Sequence, residues 1–204
     1  MKISGAAEFL KDLAAMRWYL AVSALLFAGG IAFGAASESF GAYMEGQLEP
    51  LRRIVAQAES SDNAQLLLFL IIFLNNFVKM ILMVFLGAIF GLFPIYFLVS
   101  NGMIIGYVVA SAGRAGLDVV SLVVRGLLPH GMLETAAIVI AAAYGLRYGM
   151  LIASELFLAF RGRGSGDRIK KFHSGLKRLA AFLFFALLAA AFIESTVTYA
   201  LVRG

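Results

Sequence analysis

The sequence predicts an all-α integral membrane protein with about five membrane-spanning helices and one re-entrant or interfacial half-helix on the outer side. Three observations carry that prediction. Of 204 residues, 62% are hydrophobic and 14% charged, against roughly 45–50% apolar and about 25% charged in a soluble domain. Apolar runs of about 20 residues, enough to cross about 30 Å of hydrocarbon, recur along the chain. The strongly basic stretch lies between two of those runs, as positive-inside asymmetry requires. No stretch is long and polar enough to fold separately in water, so residues 1–204 are expected to form a single membrane domain.

The first span is expected over 18–36, with Trp18 and Tyr19 as interfacial aromatics. It follows Lys2, Lys11 and Arg17 and ends in Gly34, Ala35 and Ala36, which resembles a signal peptide. Its apolar run is longer than a usual signal core and favours a retained helix. Residues 37–63 form an acidic-leaning outer loop, in which Leu51, Ile54, Val55 and Ala58 recur at helical spacing and suggest a surface amphipathic helix.

The apolar stretch 66–93 would be about 42 Å long as one helix, more than a simple crossing needs. Because Asn75, Asn76 and Lys79 lie inside it, 66–74 is read as a short half-helix, 75–93 as the second span and Pro94 as the turn. The third span is then 94–113. Residues 119–128, interrupted by Arg125 and closed by Pro129, are too few to cross. The fourth span is 131–156, a basic loop occupies 161–178, and the fifth span is 179–202.

That basic loop holds Arg161, Arg163, Arg168, Lys170, Lys171, Lys177 and Arg178. It belongs in the cytoplasm, facing anionic lipid, as does the N-terminus. Counting crossings puts the C-terminus outside a cell (plasma) membrane. The segment 119–128 then begins and ends on the outer side, with a non-helical turn at Pro129 to Gly131. The net charge of +5 is explained by this loop, and no nucleic-acid partner is expected. The chain has no cysteine, which excludes disulfides, thiolate metal sites and thiol nucleophiles.

Sliding the chain by 54 residues aligns Leu74-Asn75-Asn76 with Leu128-Pro129-His130 and Phe90-Gly91-Leu92 with Tyr144-Gly145-Leu146, which suggests a parallel internal repeat. Asn75, Asn76, Lys79, His130, Glu134 and Glu194 are expected to cluster in the outer half of the membrane. A Lys79 to Glu134 or Lys79 to Glu194 ion pair would either glue helices or line a polar pathway. His130 and Glu134, four apart, share a helix face but make a weak metal pair, since zinc sites usually take at least three protein ligands. No nucleophile has an evident base partner. No cofactor is expected, and an enzyme is the least favoured reading. The pairs Gly87 and Gly91, Gly102 and Gly106, and Gly145 and Gly149 have the small-xxx-small spacing of close helix contacts, within the chain or in a homodimer.

Two blocks resemble the stage II sporulation protein M family. The first runs from Asn75-Asn76 through Gly87, Gly91 and Pro94 to Asn101-Gly102 and Gly106; the second is Leu128-Pro129-His130-Gly131-Met132-Leu133-Glu134, continuing to Gly145-Leu146 and Gly149. The family often follows the Glu with an apolar residue, proline and alanine, where this chain has Thr135, Ala136 and Ala137. The resemblance implies a multi-spanning membrane protein. Its named member works with a cell-wall hydrolase and a membrane anchor protein during forespore engulfment, in a family much broader than spore formers. Pro129, His130, Gly131, Glu134, Asn101 and Gly102 carry over as motif positions without a catalytic role. The sequence therefore points to a membrane scaffold or assembly subunit with membrane or cell-envelope protein partners. A transporter or channel through the polar cluster is the alternative, and an intramembrane metal-dependent hydrolase the second.

Overall fold

The computed structural model describes residues 3–37, 41, 63–164 and 166–198. Among them the helices are α1 (Ile3–Ala15), α2 (Arg17–Ala36), α3 (Ala64–Leu86), α4 (Leu92–Arg114), α5 (Val119–Ser121), α6 (Leu128–Phe160) and α7 (Asp167–Ile193). Wider π-helical turns join α5 to α6 over Leu122–Leu127 and extend α7 over Glu194–Thr198. Five stretches are long and apolar enough to cross a membrane: Arg17–Ala36, Phe69–Leu86, Leu92–Arg114, Val119–Phe160 and Asp167–Thr196. The protein is an all-α membrane protein. Nearly all of the loop at 37–63, with its expected amphipathic helix, lies outside the described residues.

α2 and α4 run parallel with their backbones in contact. Gly30 and Gly34 lie against Val99 and Met103, while Gly102 and Gly106 lie against Phe27 and Ile31. A methyl group added at Gly106 would overlap the carbonyl oxygen of Ile31. Without a hydrophobic driving force between helices in lipid, such close van der Waals contact is what holds them. Gly87 similarly lies on Gly145, and Gly149 on Gly91. All three glycine pairs of the sequence thus close contacts inside the chain, so their spacing no longer points to a second copy. Met83, Tyr144, Leu183 and Leu187, all within 2% of full burial, fill the core where α3, α6 and α7 meet.

Several sequence expectations need correction. α3 runs unbroken through Asn75 and Asn76, without the division into 66–74 and 75–93. The reason is local: the Asn76 amide bonds across to Glu134 and leaves its own backbone ladder intact. The chain reverses at Gly87–Gly91 and not at Pro94, using positive φ at Phe90 (50°) and Gly91 (75°), the latter a conformation that glycine adopts without a Cβ penalty. Pro94 is instead the third residue of α4, where its missing N–H would have no helical acceptor anyway.

The expected break at Pro129 to Gly131 is also absent, because the backbone stays helical from Val119 to Phe160. Proline at the second residue of α6 removes a donor and crowds the carbonyl four residues back. The preceding turn opens to the π form, in which the Leu128 N–H bonds the Val123 carbonyl, and so seats the ring without ending the helix. The 54-residue repeat is not carried by the backbone: Phe90 to Leu92 lie at a turn and a helix start, whereas Tyr144 to Leu146 lie in mid-helix.

The basic segment is not a loop throughout. α7 begins at Asp167, and Lys170 to Arg178 occupy its first turns. α1, unforeseen in the sequence, packs there: Phe9 stacks on Phe182 with centroids 5.1 Å apart. Arg178 donates through Nε and Nη2 to Asp12 Oδ2 (3.0 and 2.7 Å) and through Nη1 to Glu8 Oε2 (3.0 Å). With the Arg178 side chain 28% exposed, this fork is worth more than a surface pair, which contributes about 0–1 kcal/mol. Arg178→Ala should lower stability by about 1–2 kcal/mol and speed hydrogen exchange in α1; unchanged exchange would mean that apolar contacts such as those of Phe9 and Leu13 hold α1 without the fork.

Candidate functional site

Asn76 and Lys79 on α3 face His130 and Glu134 on α6 because both pairs sit at helical spacing on the sides turned toward each other. Asn76 Nδ2 donates to Glu134 Oε1 at 2.6 Å, a direct interhelical bond in a half-buried setting. Lys79 lies within electrostatic range of that carboxylate, as does Glu194. Glu194 reaches the group from α7's π-helical extension and has His130 as a charged-group neighbour. His130 itself is buried at 8% exposure.

Asn76, Lys79, His130 and Glu134 border a partly open cavity of about 670 Å³, and Glu194 is not among its lining residues. Phe27 and Ile31 of α2, Phe97, Asn101 and Ile105 of α4, and Val123 and Leu127 of the π turn complete much of its wall. α3 and α4 meet at the Gly87–Gly91 turn, α2 packs on α4, and α6 packs on α2, α3 and α4; the cavity lies among these four helices. The Asn101 amide is turned back to its own helix, donating to the Phe97 carbonyl at 2.7 Å.

The cluster is set deeper than the sequence suggested. Asn76 is ten residues before the end of α3 and twelve after its start, so it lies about 15–18 Å from either end at 1.5 Å per residue. The sequence placed it at the outer end because it began the span at Asn75. Asn75 is exposed and does not line the cavity. Lys79, expected as an ion-pair partner, lies on the same wall, but the side chain that directly meets Glu134 is Asn76.

Of the motif positions, Asn101, His130, Gly131 and Glu134 line the cavity, Gly102 serves the α2 contact and Pro129 shapes the π turn. Among the described residues no three metal-ligating side chains gather, so His130 and Glu134 gain no third ligand there. The basic residues are partly engaged with the protein. Arg161 lies over the Phe157 ring (4.3 Å), Arg168 is 3.9 Å from Glu155, Lys170 is 3.8 Å from Asp167, and Arg178 holds α1. Arg163, Lys171 and Lys177 are exposed.

Sequence reasoning missed the apolar wall from Phe27 to Ile105 and the acids Glu8 and Asp12. The first needs tertiary structure. The second had a signal, since Glu8 and Asp12 are four apart on a segment where Phe9, Leu13 and Met16 also recur at helical spacing. Glu155, 7% exposed, was missed too; it accepts from the Gly166 N–H (3.1 Å) and fastens the α6–α7 loop.

No curated protein and no solved structure matches the chain. The family described as Stage II sporulation protein M matches residues 21–199, a span that runs from α2 through the π-helical end of α7 and contains the whole cavity. The chain therefore belongs to the stage II sporulation protein M family.

Proposed function

We propose that this protein is a multi-pass cell-membrane protein that binds a small solute in its central cavity and passes it across the membrane. Its N-terminus would lie in the cytoplasm and its C-terminus outside, following the basic end of α7 and five crossings. The observation that carries this reading is the cavity of about 670 Å³ reached by Asn76, Lys79, His130 and Glu134 half-way along the bundle. Ionisable groups at that depth cost about 3 kcal/mol or more each unless a function or partner retains them. Solute sites of membrane transporters lie near the midplane beside interrupted helices, and here two π-helical turns flank the site.

The Asn76 to Glu134 bond favours a second reading, in which the cluster is interhelical glue and the protein is a scaffold for membrane or cell-envelope partners. Flux of small solutes and ions in proteoliposomes separates the two. A pathway predicts that His130→Ala and Glu134→Ala lower flux about tenfold while remaining folded, the loss of one strong contact. A scaffold predicts no flux in any preparation and a lower melting temperature in both variants.

A further inference from the structure

We propose that the outer face of α3 docks on the same face of a second copy of this chain, with the two Asn75 side chains bonded to each other across a two-fold axis along the membrane normal. Asn75 is eleven residues from either end of α3, so it lies about 16 Å in at 1.5 Å per residue, half-way through a span. It is exposed and points away from the cavity that its neighbour Asn76 lines. Asn76 donates to Glu134, whereas among the described residues no hydrogen bond holds the Asn75 amide. That amide carries two donors and an acceptor, and hydrocarbon offers them nothing, so leaving it against lipid is costly.

The residues around it point to what covers it. Asn75, Val78, Leu82 and Phe85 follow at intervals of three, four and three, and all four are exposed. This is the a and d spacing of a two-helix seam, in which side chains of one helix enter gaps on the other. A single asparagine at an a position sets register and partner number, because each amide both donates to and accepts from its twin. Two copies inserted with the same orientation are related by an axis along the membrane normal, which sets their α3 helices parallel and both Asn75 residues at one depth. Symmetry thus supplies the matching group. Lys79, four residues on, falls at an e position beside the seam and lines the cavity, so the two ammonium groups lie on opposite flanks of the pair. The seam is separate from the glycine contacts, which are closed inside the chain. The face stays apolar in the dimer, as it is against lipid.

The test uses the full chain purified into liposomes, where no other protein can pair with it. Because the native chain has no cysteine, single cysteines can be oxidised with copper phenanthroline without background. Val78→Cys and Phe85→Cys should each give a covalent dimer, and Leu25→Cys, exposed on α2, should give none above background. Energy transfer between dye-labelled copies, followed as lipid is added, should show Asn75→Leu dimerising about tenfold more weakly than the native chain, the scale of one interhelical polar contact in model peptides. Asn75→Gln, which keeps both donor and acceptor, should dimerise close to the native level. Asn75→Leu removes no hydrogen bond within the chain, so its helical content should be unchanged. Monomers at every lipid dilution, crosslinking at Leu25 equal to that at Val78 and Phe85, or a native-strength dimer in Asn75→Leu would each overturn the proposal.

Discussion

Valine at Gly106 should separate α2 from α4 and lower stability by about 3 kcal/mol or more, the upper range for overpacking a closed contact. The Cβ alone would overlap the Ile31 carbonyl oxygen, and backbone cannot step aside as a flexible side chain can. Because Phe27 and Ile31 also line the cavity, displacing α2 should deform the site as well. Gly29→Ala is the matched control. Gly29 has nothing within 4 Å of an added Cβ, so the change should be neutral or stabilising by up to about 1 kcal/mol through helix propensity. Equal loss of thermal stability in both variants would show that the glycine contact is not what holds the pair.

Asn76→Leu should cost about 2–3 kcal/mol, because it removes the donor from the Glu134 carboxylate without creating much of a cavity. Neutral interhelical hydrogen bonds in membranes average only about 0.6 kcal/mol. Leaving a part-buried acceptor without its donor is what raises the expectation here. Adding Glu134→Leu should recover most of the loss, since replacing both members of a buried polar pair by apolar groups is often near neutral. Steric damage by leucine at position 76 would not be recovered, so a double variant no more stable than Asn76→Leu contradicts the hydrogen-bond account.

The number of spans was legible because apolar length is a one-dimensional property of the chain. Breaks were not, since they depend on partners. Asn76 reads as a helix breaker until Glu134 is seen to receive its amide, and Pro129 reads as a stop until the π turn before it is seen to absorb the ring. The true reversal needs only glycine and one unusual φ at Phe90, a weak sequence signal. The candidate site was legible as a list of costly polar residues within apolar runs. Its depth and its volume were not, because depth followed the misplaced start of α3 and volume depends on how α2, α3, α4 and α6 come together around it. The Arg178 fork was hidden because its acids are 166 and 170 residues distant.

The central claim, that a water-reached cavity lies half-way through the bundle, is tested most directly by cysteine accessibility. The native chain has no cysteine, so single cysteines can be placed without background. In intact membranes open on both sides, a water-soluble thiol reagent should label Asn101→Cys on the cavity wall and Lys171→Cys at the exposed start of α7. It should spare Leu98→Cys, at a position with 0% exposure, and Leu82→Cys on the apolar outer face of α3, where lipid keeps the thiol protonated. Labelling at 101 and 171 alone is the predicted result; labelling at 171 with position 101 as silent as 98 and 82 would contradict the account.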